Sequence, residues 1–244
     1  MFVLAGRKLW RIYFFTQCLL AFLAFFPFFL VLMTRKQWFP YSFKLQRLWV
    51  KYVFFVSGIS YDVKMEVPLD PNRAYIFCPN HTSYLDILVC FVTIPMYFHG
   101  MAKAELKKVP LFNIFFKKMH ITVDRSSVRD SHRAFLRASS DLEKGISITI
   151  FPEATIPDNA PKLGKFKNGP FKLAIEKQVP IVPVIFTTNW HILPDGRRKI
   201  RGGRPGVAKA IVCKPIETTG LTEDDVVGLK GEIFEVMSRK LRGA

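Results

Sequence analysis

A chain of 244 residues has room for one large core, and no Ser/Gly-rich or low-complexity stretch divides it. Its 36 basic against 19 acidic residues leave a formal charge of +17, which calls for an anionic partner such as nucleic acid, a membrane surface or a phosphorylated substrate. The 24 phenylalanines crowd toward the N-terminal third beside Trp10, Trp38 and Trp49, which favours a membrane interface over nucleic acid, and four scattered cysteines predict neither a structural disulfide nor zinc.

From Ile12 to Met33 the chain carries no charged side chain, long enough as a straight helix to cross a bilayer core. Pro27 lies inside that run and predicts a kink or break, and so a segment that enters one leaflet and turns back. The stretch "FPYSFKLQRLWVKYVFFVSG" then sets Lys44, Arg47 and Lys51 at helical spacing among Leu48, Trp49, Tyr52, Val53 and Phe55, the pattern of an interfacial helix. Basic residues flank the apolar run on both sides, Arg7, Lys8 and Arg11 before it and Arg35 and Lys36 after it. A re-entrant hairpin on the cytoplasmic face accounts for that symmetry better than a span. Residues 1–58 are therefore expected to be membrane-anchoring helices of a monotopic protein, with membrane lipids as partners. A cleaved signal peptide and a buried core helix are the competing readings; the first lacks a small-residue cleavage site after the run.

After Gly58 short apolar runs alternate with helical periodicity. "YDVKMEV", "AYIFC", "HITV", "VPIVPVIFTT" and "VAKAIVC" read as strands, and in "GISITIF" Ile146, Ile148 and Ile150 alternate with Ser147 and Thr149. Ser127 with Asp130 predicts a capping-box start to a helix whose Val128, Phe135, Ala138 and Leu142 share a face, and Gly145 ends it. Thr222 followed by Glu223, Asp224 and Asp225 predicts the start of a helix carrying Ile233, Phe234 and Met237. The expectation is an α/β fold over residues 59–244: one domain with a largely parallel mixed sheet flanked by helices, and chemistry at the carboxyl ends of strands.

"AYIFC" leads straight into "PNHTSYLD", so His81 falls on a strand-to-helix turn and Asp86 in the first turns of the helix. Residues five apart diverge by about 140° on a helix, so the two meet only if His81 lies outside it and folds back. Neutral imidazole near a helix N-terminus is available as a base, with the aspartate fixing its tautomer. The plain alternative is a histidine bonded to backbone and a surface aspartate.

Three further blocks follow in order: "AKAELKKVPLFNIFFKKMHITVDR" with Lys103, Glu105, Leu106, Pro110, Asp124 and Arg125; "FPEAT"; and "VPIVPV". With "HTSYLD" they resemble, over about residues 75 to 185, the four motifs of the 1-acylglycerol-3-phosphate acyltransferase family, within the glycerolipid acyltransferases. The resemblance implies that His81 is the general base taking the proton of an acceptor hydroxyl as it attacks an acyl thioester, and that Asp86 orients it. It implies acyl-CoA or acyl-carrier protein as co-substrate with no resident cofactor, lysophosphatidic acid as acceptor and phosphatidic acid as product. Lys103, Arg125, Glu153 and Thr155 are the implied substrate-binding residues. The family's third block usually reads Phe-Pro-Glu-Gly-Thr-Arg, whereas this chain has Ala154 and, in place of arginine, Ile156. Lys162, Lys165 and Lys167 in the loop that follows are candidate replacements for that phosphate ligand. Another lyso-lipid acceptor, such as a lyso amino-acid lipid, and a non-enzymatic basic membrane-binding protein are the alternative functions. The signatures G-x-S-x-G, H-E-x-x-H and the P-loop are absent from the sequence.

Overall fold

The computed structural model describes residues 2–195 and 202–243. Helices α1 (Phe2–Leu32) and α2 (Phe39–Val56) form an antiparallel hairpin. Its ends are tied by Trp10 Nε1 to the Ser57 carbonyl at 3.1 Å, Tyr13 Oη to the Val56 carbonyl at 2.9 Å and Trp49 Nε1 to the Cys18 carbonyl at 3.3 Å. The break expected at Pro27 is not there. Pro27 faces outward, α1 runs through it, and the chain reverses instead after Thr34, in a 3-10 turn over Lys36–Trp38. Among the described residues α1 is the one helix long and apolar enough to cross a membrane, and Leu9, Ile12, Leu19, Leu20, Phe28 and Val31 stand exposed on it. Its opposite side belongs to the protein core: Phe22 stacks on Phe112 at 4.0 Å and Phe29 meets Phe115 edge-on at 5.0 Å.

Strands β1 (Ile59–Met65), β2 (Ile76–Pro79), β3 (Phe98–Lys103), β4 (Ile121–Val123), β5 (Ser147–Thr149), β6 (Ile181–Phe186) and β7 (Gly206–Val212) make one sheet. Its order is β1-β7-β6-β2-β5-β3-β4, parallel throughout except for the β6–β7 pair. Alternation sends successive residues to opposite faces. Phe77, Val182, Val184 and Phe186 join the core under the hairpin and α3 (Leu85–Thr93). Ile76, Ile148, Ile181 and Ile185 join the second core, under α5 (Val128–Glu143), α6 (Gly169–Lys177) and α8 (Val226–Arg242). Two short helices, α4 (Asn113–Lys118) and α7 (Asn189–Ile192), complete the fold. The expected α/β class with a largely parallel mixed sheet is what the chain adopts.

Three local expectations need correction. Only Ser147–Thr149 of "GISITIF" is paired as strand, and all three residues are buried because both faces of this central strand are covered. On α5 the buried face is Ala134, Ala138 and Leu142, Phe135 is half-buried, and Val128 is 87% exposed, since it precedes the helix's contact with the sheet. Ser127 Oγ does accept from Asp130 N at 3.2 Å, but the Asp130 carboxylate accepts from Asp124 N rather than closing the box. The helix start expected at Thr222 is present: Thr222 and Asp225 close a capping box over a 3-10 turn that leads into α8. Strand β3 carried no strand signal: it reads Phe-His-Gly-Met-Ala-Lys, with a glycine at the position facing Thr149 of β5.

Candidate active site

β2 sits at the centre of the sheet, between β5 and β6, and its carboxyl end delivers Asn80 and His81. The Asn80 side chain fixes that end: its Nδ2 donates to the Phe186 carbonyl at 3.1 Å and its Oδ1 accepts from Phe186 N at 2.7 Å. Ser83 holds the turn from the other side, Oγ donating to the Leu193 carbonyl at 2.5 Å and accepting from Leu85 N at 2.9 Å. The loop then rises into α3, whose first turn carries Asp86.

Asp86 is fully buried and its two oxygens are surrounded by donors. Oδ2 accepts from Thr82 N at 2.5 Å and Ser83 N at 2.7 Å and meets His81 Nδ1 at 2.9 Å, while Oδ1 accepts from Asn189 Nδ2 at 2.8 Å and Thr82 Oγ1 at 3.3 Å. Such a carboxylate is an acceptor only, so the His81 proton sits on Nδ1 and the lone pair on Nε2. Nε2 makes no hydrogen bond among the described residues, and the ring, tilted against Phe151 at 4.3 Å, lines an open cavity of about 590 Å³. The fold-back required by the five-residue spacing is therefore present.

Glu153 supports His81 from below. It is 4% exposed, with Oε1 accepting from His81 N at 2.8 Å and Oε2 from Gly164 N at 2.7 Å. Burial pushes its carboxyl up to about 7, against the downward pull of those two N–H donors. Gly164 has no room for a side chain: a Cβ there would lie 2.7 Å from Pro157 Cγ and 3.0 Å from the Glu153 carboxylate. Ala154 takes φ +65°, and its carbonyl accepts from Arg125 Nη1.

The expected site residues divide by position. His81, Lys103, Arg125 and Thr155 line the cavity, along with Phe22, Trp49, Phe98, Phe112, Phe115 and the buried Ile156. Asp86 and Glu153 stand behind His81 and do not reach the cavity. Lys165 and Lys167 are exposed on the following loop and line no part of it. Sequence reasoning passed over Asn80, which the motif itself contains, and Asn189, which is 103 residues from its partner Asp86 and announced by no spacing.

A protein-family profile described as "Acyltransferase" matches residues 61–187. The chain belongs to the acyltransferase family. A relative in Schizosaccharomyces pombe, named "Uncharacterized acyltransferase", is 31% identical over 76% of this chain and 67% of its own length. The 1-acyl-sn-glycerol-3-phosphate acyltransferase alpha of Ovis aries is 29% identical over 80% of this chain and 68% of its own length. The crystal structure of PlsC from Thermotoga maritima, a 1-acyl-sn-glycerophosphate acyltransferase, shares the fold with a TM-score of 0.73 at 24% identity, covering 96% of this chain and 97% of that one. Acyl transfer is thus the reaction class of this protein, and the matched segment contains all four sequence blocks.

Proposed function

We propose that the protein moves a fatty acyl chain from a thioester donor, acyl-CoA or acyl-carrier protein, to the sn-2 hydroxyl of 1-acylglycerol-3-phosphate, giving phosphatidic acid. The observation that carries the reading is the state of His81: Nδ1 held by buried Asp86, Nε2 open to a cavity walled with aromatic side chains and also lined by the exposed cations Lys103 and Arg125. His81 Nε2 takes the hydroxyl proton as the oxygen attacks the thioester carbonyl. The C–S bond then breaks and the departing thiolate recovers the proton from the imidazolium, so no covalent acyl-enzyme is needed. Asp86 keeps the ring in the reactive tautomer and stabilises its cation. The apolar cavity suits acyl chains, and Lys103 and Arg125 suit the acceptor phosphate. With Ile156 buried in the cavity wall, those two cations are the phosphate ligands, and Lys165 and Lys167 stand too far round the loop to line the site.

The exposed apolar side of α1 and the +17 charge support a monotopic seat on the cytoplasmic face of a membrane, where a lysolipid acceptor partitions and a soluble acyl donor can reach it. Purified full-length protein in detergent, given labelled donor and lysophosphatidic acid, is expected to lose about 10² to 10⁴ in rate on His81→Ala with an unchanged thermal midpoint. Unaltered transfer by that variant would remove His81 as base, and absence of transfer by the wild type would leave the basic membrane-binding alternative. A lyso amino-acid lipid offered in parallel tests the acceptor, and its preference over lysophosphatidic acid would overturn the phosphate assignment prompted by Ile156.

A further inference from the structure

Away from His81, the cavity wall holds polar groups with no protein partner. His120, only 7% exposed, accepts from Gly100 N at 3.1 Å through Nδ1, which places its own ring proton on Nε2. Burial, with a smaller contribution from neighbouring His99, lowers its pKa to about 3, so the ring is a neutral donor. Nε2 meets no acceptor among the described residues, and His120 lines the cavity. Gly100 pairs across the β3–β5 ladder with Thr149, which is 3% exposed, also lines the cavity, and has a buried Oγ1 with no partner. At Gly100 itself the space a side chain would fill is open, with no atom nearer than His120 Nδ1 at 3.8 Å. A buried hydroxyl without a partner is costly and uncommon, and beside the open Gly100 and the cavity-lining His120 the Thr149 Oγ1 marks a site that a ligand atom would complete.

The chemistry and position of that atom follow. Nε2 can only donate, whereas Oγ1 both donates and accepts, so a hydroxyl that accepts from His120 and donates to Thr149 satisfies both. Thr149 lies two residues before Phe151, the residue under the His81 ring, about 7 Å along the strand, and Gly100 is one strand across, about 5 Å further. The spot is therefore near the reacting end of a bound chain and not at its methyl end. We propose that Thr149, Gly100 and His120 form a hydrogen-bonding station for a hydroxyl on the carboxyl-proximal half of an acyl chain, and that this makes the protein selective for hydroxyacyl substrates. The inference rests on the acyl-transfer reading above and names its substrate class.

Full-length protein in detergent, supplied with lysophosphatidic acid and positional isomers of hydroxyhexadecanoyl-CoA in competition with hexadecanoyl-CoA, tests it. A second arm places the hydroxyl on the chain of the acceptor. One or more carboxyl-half isomers should be preferred about tenfold in kcat/KM in one of the arms, and the ω-hydroxy isomer should not. Thr149→Val should abolish the preference while leaving kcat/KM for hexadecanoyl-CoA unchanged. His120→Asn, whose amide oxygen keeps an acceptor for Gly100 N but has no atom at the Nε2 position, should do the same, and His120→Gln, which restores a donor there, should recover part of it. Equal use of hydroxylated and plain chains in both arms, or a preference untouched by Thr149→Val, overturns the station and leaves acyl transfer standing. No transfer from any donor overturns both.

Discussion

His81 and His99 each lie against an aspartate, and the difference between them lies in the second ring nitrogen. His99, 2% exposed, uses both: Nδ1 to Asp141 Oδ2 at 2.7 Å and Nε2 to the Tyr97 hydroxyl at 2.6 Å. It is a clamp between β3 and α5 with no lone pair to offer, whereas His81 keeps one facing the cavity. His99→Ala is accordingly expected to leave the Asp141 carboxylate buried with only Arg137 at 3.4 Å, lowering stability by about 3 kcal/mol in denaturant titration, while a loss confined to activity would count against the clamp. Glu153 titrates in an unusual range. Its folded pKa of about 7 stands above the ordinary 4.5, so the stability it contributes is complete below about 4.5 and is lost as pH rises through 7. Between pH 5 and pH 8 the wild type should lose stability relative to Glu153→Gln by at most about 3 kcal/mol, and parallel pH profiles of the two would refute that. Ala154 at φ +65° occupies a conformation that glycine adopts freely, so Ala154→Gly should raise the thermal midpoint by a few degrees, about 1 kcal/mol. The resemblance pointed to this residue by the glycine it expected there; the reason, a left-handed backbone that turns the Ala154 carbonyl toward Arg125, became visible only with the chain folded.

At the level of elements, local signals worked wherever a segment's structure is decided by its own residues. The strand-turn-helix at "PNHTSYLD", the cap at Thr222 and the left-handed Gly145 after α5 were all legible, because each is closed by contacts within a few residues. Pro27 misled because the expectation weighed a missing N–H without the lateral ties, at Trp10, Tyr13 and Trp49, that hold the hairpin as one unit. β3 was missed because what makes it a strand is its pairing with β4 and β5, which are distant in sequence. The hairpin is also structural: Phe14, Phe22 and Phe29 of α1 are each at most 1% exposed within the main core. Removing residues before α2 should therefore yield protein that fails to unfold cooperatively in detergent, rather than a soluble enzyme stripped of its anchor; a truncated form with an intact sharp transition would show α1 to be dispensable.

Over the whole molecule, the site is assembled from segments far apart in the chain: His81 and Asp86 from the β2–α3 turn, Asn189 from the start of α7, Glu153 from beyond β5, and the cavity wall from the hairpin. The sequence named the His81–Asp86 pair but could not show that long-range hydrogen bonds, Asn80 to Phe186 and Asn189 to Asp86, set its geometry. The parallel pairing of β1 with β7 has a further bearing on how the protein is made. β1 is the first strand to be synthesised, yet its partner lies more than 140 positions later, at Gly206–Val212. A growing chain thus exposes α1 and α2 long before Phe112 and Phe115 exist to cover Phe22 and Phe29. The inner apolar side of the hairpin therefore stays uncovered by its own protein until those residues are made, and the sheet cannot close on β1 before Gly206–Val212 has been added.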